Sequence, residues 1–361
     1  MLLAINFSAI NFLAINFPAI HFPSWLKPEI IPGLPLRWYG LMYIVAFAIA
    51  YLLFKRQVKE RNFPMSEEDL SSLFVWGILG LILGARVFYG VFYEINYSNA
   101  FSVFHIFSPF RDGRFVGFQG MSYHGGVIGC ILGIIFFTIR KKYDFREIGD
   151  MLAASIPLGY TFGRLGNFIN GELYGRISTM PFAMIFPQGG IHPSHRHYQT
   201  IITEAERMGL DLIPGEIFNP PRHPSQLYEA LFEGVILWLV IWLLRKKNPF
   251  KGFLISLYIA GYGLVRFIIE YFREPDSAMG YRIEFVRNDL PPALAHPIFS
   301  FSQGQILCFA MIVIGIIWAF IAYKQPNQEA VYIYQEKDTA KDPEEKAAER
   351  KRRRKLRKQL R

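Results

Sequence analysis

The chain has 361 residues, a formal net charge of +10, 52% hydrophobic residues and 16% aromatic ones. A soluble chain of this length divides into about two or three domains. Here the apolar residues stand in long runs instead, which argues against a soluble enzyme or binding domain and for a chain that faces acyl tails and headgroups. The only cysteines, Cys130 and Cys308, sit inside apolar runs, so no disulfide framework is indicated and each reads as a small buried hydrophobe.

Residues 1–27 form a low-complexity extension. A five-residue unit repeats there, A-I-N-F at Ala4, Ala9 and Ala14 and A-I-H-F at Ala19. Five matches neither the helical nor the strand period, and no basic segment precedes it as in a signal peptide. Seven apolar segments of spanning length follow, each about 17 to 25 residues. They are Trp38–Phe54, Leu73–Tyr93, Met121–Ile139, Ile148–Leu165, Leu227–Leu244, Gly252–Phe272 and Gln305–Tyr323. The fourth is the weakest by hydropathy, since Asp150 stands near its start.

Lysine placement supports all seven. After Lys27, lysines occur only at 55 and 59, at 141 and 142, at 246, 247 and 251, and from Lys324 onward. These positions follow the first, third, fifth and seventh segments, and basic residues concentrate on cytoplasmic loops. Seven alternating crossings put every one of them on one side, with the N-terminus outside and the C-terminus cytoplasmic. The expected fold is therefore all-α and polytopic. Residues 28–324 would form the transmembrane domain, with an extracytoplasmic head made by the long outer loops near 94–120 and 166–226. Residues 325–361 would form a disordered basic tail; blocks of like charge are usually solvated, and this one can also touch anionic lipid. No folded module or interleaved aromatic accompanies it, so no nucleic-acid partner is expected.

The most informative stretch is Gly163–Arg176, G-R-L-G-N-F-I-N-G-E-L-Y-G-R, with two arginines, two asparagines and a glutamate in an otherwise apolar setting. Polar and charged groups at membrane depth are expensive and are retained mostly where they act. With the topology above, such groups gather toward the outer side. Tyr39 opens the first segment, Arg86 lies in the outer half of the second, His124 begins the third and Arg164 closes the fourth. Arg222–Glu229 leads into the fifth, and Tyr262, Arg266, Glu270 and Arg273 share a helical face of the sixth. Each has a plain structural reading too. Arg266 and Glu270 suit an intrahelical ion pair, Asn167 and Asn170 a cap or turn, Tyr39 an interfacial belt, His124 a structural histidine, and Arg86 snorkelling to headgroups. The run His192-Pro-Ser-His195-Arg-His197 has no acid or cysteine beside it and is not expected to hold a metal.

In order along the chain, Arg37–Tyr43, Gly84–Tyr89, Met121–Gly126, Gly163–Arg176, Arg222–Glu229 and Arg266–Asp276 closely resemble the motifs of the prolipoprotein diacylglyceryl transferases, a bacterial family. The resemblance runs from about Pro28 to Tyr323. Arg37 differs from other members, and the outer segment from Asp276 to Ser302 is longer than usual. It implies transfer of the diacylglyceryl group of phosphatidylglycerol to the lipobox cysteine of a prolipoprotein signal peptide, at the outer side of the bacterial cytoplasmic membrane and among its lipids, with no cofactor. The positions matching the family are Tyr39, His124, Asp150, Arg164, Asn167, Gly175, Tyr262, Arg266 and Glu270.

That reaction sets demands on the residues. A cysteine thiol, with pKa about 8.5, needs a base or a positive field, and His124 is the candidate base. The phosphate leaving group gains charge as the C–O bond breaks, and Arg164 and Arg266 are the candidate clamp. Tyr39 and Asn167 would position phosphate or glycerol, Glu270 would hold Arg266, and Gly175 would permit close backbone approach. Arg86, Tyr262, Arg273 and Glu229 complete the expected substrate contacts. Asp150, at the inner side, and Asn170 are expected to be structural. The rival readings are a polytopic transporter, a lipid-binding scaffold without activity, and a different phosphatidyl-group transferase. The first would show internal repeats and a midplane site, and the last an Asp-rich metal motif, neither of which the chain carries.

Overall fold

The computed structural model describes residues 19–31, 33, 36–94, 110–111, 114–115, 120–210, 213, 215–274, 281–285, 291–294, 297–325, 351 and 355. The repeat units before Pro18, the Asp276 end of its motif and nearly all of the basic tail lie outside them. The chain divides into two compact units, Met1–Phe54 with Gly149–Ala330, and Lys55–Ile148 with Val331–Arg361.

The architecture is helical with little sheet. Among the described residues, five helices are long and apolar enough to cross a membrane: Trp38–Glu60, Glu67–Phe92, Tyr123–Lys141, Ser225–Lys247 and Gln303–Lys324. The protein is thus a multi-pass membrane protein by the length and composition of its helices. The helix Phe253–Ile269 is apolar but has only 17 residues. The expected fourth span is not one helix. It is two, Phe145–Ala153 and Ile156–Ile169, broken at Ala154–Ser155. Pro157 sits in the first turn of the second helix, and its ring would clash with the carbonyl four residues back, that of Ala153, where the first helix ends.

In the second unit, α2 (Glu67–Tyr89) and α3 (Tyr123–Lys141) run antiparallel. Ser66 caps α2 by accepting from the Asp69 amide, and Glu67, Glu68 and Asp69 complement the dipole of its first turn. Ser122 caps α3 through the Gly125 amide, and Lys142 ends it in a left-handed conformation. At one end the Ser122 amide donates to the Ala85 carbonyl at 3.0 Å. At the other, Asp69 accepts from the Tyr143 hydroxyl at 2.7 Å and pairs with Lys141 at 2.7 Å. The faces between are glycine. A Cβ on Gly80 would stand 2.2 Å from the Gly129 carbonyl oxygen, and one on Gly84 2.3 Å from that of Gly125. Small residues at this spacing let two backbones touch, the form of helix association favoured where lipid removes the hydrophobic drive.

The first unit holds α1 (Trp38–Glu60) as far as Phe54, the broken pair α4 (Phe145–Ala153, from Gly149) and α5 (Ile156–Ile169), α7 (Ser225–Lys247), α8 (Phe253–Ile269) and α9 (Gln303–Lys324). It also folds the long connection after α5. The short helix α6 (Tyr198–Arg207) packs Tyr198, Ile201, Ile202 and Ala205 onto Ile177, Ile191, Phe218 and Leu294, giving that connection its own buried core. The last repeat unit belongs to this fold. Strand β1 (Ile20–His21) pairs in parallel with β2 (Met184–Ile185), and Phe22 is buried on Phe168 and Phe186.

Asp150 fixes one end of this unit. It is buried and accepts from Asn248 Nδ2 at 2.8 Å, the Gly252 amide at 2.8 Å and the Ile255 amide at 3.0 Å, so it holds the turn that leads from α7 into α8 and caps α8 from another helix. The chain then brings Arg164, Glu229 and Arg266 together at the opposite ends of α5, α7 and α8.

Candidate functional site: an arginine–glutamate cluster

α7 is the spine of the site. Its first half, Glu229–Ile236, is a π-helix. α5 crosses it closely there: a Cβ on Gly234 would lie 2.0 Å from Thr161 Oγ1, and that hydroxyl donates to the Ala230 carbonyl at 3.3 Å. A widened turn with an inserted side-chain donor is a recurrent feature of functional sites. Here it presents Glu229 and Glu233, both fully buried, to the arginines of α5 and α8.

Glu229 is the hub. Its Oε2 lies 2.9 Å from Arg164 Nε, and its Oε1 accepts a short hydrogen bond from Arg266 Nη1. Arg273 Nη1 stands 3.9 Å from the same Oε1. Arg266 also contacts Glu233 Oε1 at 3.4 Å and Glu270 Oε2 at 3.3 Å. Glu270 in turn accepts from the Ser302 hydroxyl at 3.0 Å, in the capping box that starts α9. Three arginines thus face three glutamates, and this balance makes a buried charged cluster tolerable, since removing one partner strands the other.

The expected clamp residues Arg164 and Arg266 do meet, through a carboxylate they share. Glu229, expected to contact substrate, aligns Arg164 and Arg266 with its two carboxylate oxygens. Glu270 pairs with Arg266. Asn167 links the cluster to the signature loop: its Oδ1 accepts from Arg164 Nη1 at 3.4 Å and its Nδ2 donates to Glu172 at 2.9 Å. Asn170 ends α5 and donates to the same Glu172 oxygen at 3.2 Å. Gly175 is pinned between two strands of chain, with a bridge to Arg273 and its amide donating to the His223 carbonyl at 2.8 Å. A Cβ there would stand 2.3 Å from the Phe272 carbonyl oxygen, so close backbone approach requires glycine. Tyr262 packs edge-on to Tyr160 at 5.9 Å. Tyr39 lies beside Gly166, its hydroxyl 3.0 Å from that of Tyr43.

Arg86 and His124 belong to the second unit. Arg86 is buried rather than snorkelling, and its Nη1 donates to the Gly120 carbonyl at 2.7 Å. Gly120 has φ +77, and the Tyr89 ring fills the place a side chain would take. His124 is exposed in the first turn of α3, and its side chain hydrogen-bonds to none of the described residues.

Two donors remain open toward a ligand. Among the described residues Arg164 Nη2 engages none, and the Arg273 side chain, 18% exposed, makes only its long contact to Glu229. A guanidinium carries five N–H donors, so each of these has capacity for an anion. Nearby His223 stays neutral: burial, with the Arg176 charge, pushes its imidazole down to about 4, and its Nδ1 lies 3.1 Å from the Tyr228 hydroxyl.

Sequence reasoning missed Glu233, Tyr160 and Glu172. The signals were present: Glu233 is a second acid inside an apolar span, one helical turn after Glu229. Tyr160 is one turn before Arg164, and Glu172 lies inside the Gly163–Arg176 stretch. Among the described residues no group of three or more His, Cys, Asp or Glu has metal-holding geometry. In the histidine-rich run, His192 bonds to Ser194 and His197 to Arg196.

The model of the family described as "Prolipoprotein diacylglyceryl transferase" matches residues 28–321. The chain is 53% identical over 322 residues, 84% of it and 95% of the relative, to a phosphatidylglycerol–prolipoprotein diacylglyceryl transferase of Treponema denticola. It is 45% identical to one of Treponema pallidum, covering 83% of this chain and 95% of that one. With one of Chlorobaculum tepidum it shares 40% identity, over 82% and 91% of the two chains.

Proposed function

The chain belongs to the prolipoprotein diacylglyceryl transferase family, and from that premise we infer that it moves the diacylglyceryl group of phosphatidylglycerol onto the thiol of a prolipoprotein lipobox cysteine, the first step of lipoprotein maturation. The cysteine sulfur attacks the lipid carbon that bears the phosphate ester. A C–S thioether bond forms, the C–O bond breaks, and its electron pair leaves on the phosphate oxygen as glycerol phosphate. The thiol proton passes to a base.

The observation that carries the reading is the sharing of Glu229 by Arg164 and Arg266. Two always-charged guanidiniums held in advance, with donor capacity left on Arg164 Nη2 and Arg273, offer fixed donors to a phosphate whose charge rises in the transition state. Preorganised donors of this kind supply the largest electrostatic share of such catalysis. Asn167 and Tyr39 would steer the glycerol and phosphate oxygens, Gly175 would let the backbone close on the substrate, and His124 would take the thiol proton. Seven crossings, with α4 and α5 making one broken crossing and α8 a short one, would put this end of the helices at the outer face of the cytoplasmic membrane. The folded loops around α6 would then be an extracytoplasmic head, with the N-terminus outside and the C-terminus inside.

Purified protein, phosphatidylglycerol and a lipobox peptide test the reading by mass spectrometry. The peptide should gain one diacylglyceryl group and glycerol phosphate should appear in equal amount. An unmodified peptide beside intact lipid overturns it.

A further inference from the structure

The two arginines are joined a second time, behind Glu229. Tyr160 donates its hydroxyl to Glu233 Oε2 at 2.5 Å and accepts from Arg164 Nε at 2.5 Å. Glu233 Oε1 meets Arg266 Nη1 at 3.4 Å. The contacts therefore close: Arg164 to Glu229, Glu229 to Arg266, Arg266 to Glu233, Glu233 to Tyr160, and Tyr160 back to Arg164. Three helices contribute, α5 with Tyr160 and Arg164, α7 with both glutamates and α8 with Arg266.

We propose that Tyr160 and Glu233 are positioning residues for the transfer reaction, closing a ring that fixes the spacing and tilt of the Arg164 and Arg266 guanidiniums; the proposal rests on the functional reading above. Glu229 alone does not fix Arg164. Its Oε2 lies within ion-pair distance but makes no aligned hydrogen bond, whereas the Nε–H of Arg164 is directed at Tyr160. With Nε given to Tyr160 and Nη1 to Asn167, Nη2 is the nitrogen of Arg164 that engages none of the described residues. Tyr160 is held in its turn by the edge of the Tyr262 ring, 5.9 Å away, and its own ring lies under the Arg164 guanidinium at 4.8 Å. Glu233 also enters the charge balance: with it, the three arginines of the cluster face three glutamates.

The test is steady-state transfer by the full-length protein in detergent–phosphatidylglycerol micelles, comparing wild type, Tyr160→Phe, Arg164→Lys and the double variant. Tyr160→Phe removes one oxygen and keeps both ring contacts, and the thermal unfolding midpoint reads directly any loss of folding from the stranded Glu233. A small misplacement of a catalytic group costs rate out of proportion to its size. The expected result is a fall in kcat of about tenfold with KM for phosphatidylglycerol within about twofold, and a double variant no slower than Arg164→Lys, since lysine has no Nε–H for Tyr160 to hold. Wild-type kcat in Tyr160→Phe, or a fall only in proportion to lost folded protein, overturns the proposal. So do costs that multiply in the double variant. Glu233→Gln keeps an oxygen for Tyr160 but removes the charge, and it should lower kcat at least as far; full activity there counts equally against the ring. An inactive wild-type protein overturns the functional reading itself, and is a different result from any of these.

Discussion

The helix pair α2–α3 and the trio α5–α7–α8 solve the same problem in opposite ways. In the first, contact comes from what is missing: Gly80, Gly84, Gly125 and Gly129 have no side chains, and the two backbones meet directly. In the second, contact comes from what is present, two buried glutamates of α7 bridging arginines on either side. Lipid offers apolar side chains nothing that another helix does not, so a bundle must hold itself by close packing or by polar groups that lipid cannot satisfy. The glycine faces of the packed pair carry no charge and are intolerant of volume. The charged trio is the reverse, and it can also meet an ionic substrate.

The largest expected break in this comparison is Arg266→Gln. It should lower transfer by about 10²–10³-fold, as loss of a preorganised donor commonly does. It should also destabilise the trio, by about 3–5 kcal/mol, because Glu229, Glu233 and Glu270 all lose a partner in a buried site. Transfer assay and thermal unfolding together check it; a slowed but fully stable variant would show that the ion network does not hold the helices. Next comes Gly80→Ala against Gly77→Ala. A Cβ at Gly80 strikes the Gly129 carbonyl oxygen at 2.2 Å, whereas one at Gly77 meets only Cys130 Sγ at 3.7 Å and Ile134 at 3.8 Å. The first should lose about 1–3 kcal/mol by overpacking and the second nothing, read as the shift of the unfolding midpoint. Equal effects would mean that the two helices are free to separate. The smallest is Asp150→Ala, which takes a buried acceptor from the turn between α7 and α8 and should cost about 0.5–2 kcal/mol of stability, as lost caps do. If unfolding is unchanged, the register of α8 against α7 is set without that cap.

Legibility in the sequence followed the range of the interaction. Long helices stood out because a span of apolar residues is a local property, and Ser66, Ser122 and Ser302 sit where local capping chemistry puts them. Arg164 and Arg266 were conspicuous because charge is rare in apolar surroundings. The break between α4 and α5 was also local in origin, yet the hydropathy of Ile148–Leu165 concealed it; the steric effect of Pro157 on Ala153 decided it. The last repeat unit read as outside the fold, because two residues of strand pairing and one buried phenylalanine need β2 and Phe186 to give them meaning.

By itself, then, the sequence determined which residues are helical and apolar, which charges stand inside those helices, and the family to which their motifs belong. Tertiary structure decided how the charges are shared. Whether Arg164 answers to Glu229 or Tyr160, and whether Glu233 faces Arg266 or lipid, depends on the register of α5, α7 and α8. That register is set by Gly234 under Thr161 at one end and Asp150 under α8 at the other. Partners separated by tens of residues leave no periodic trace along the chain, and only packing brings them within hydrogen-bond distance.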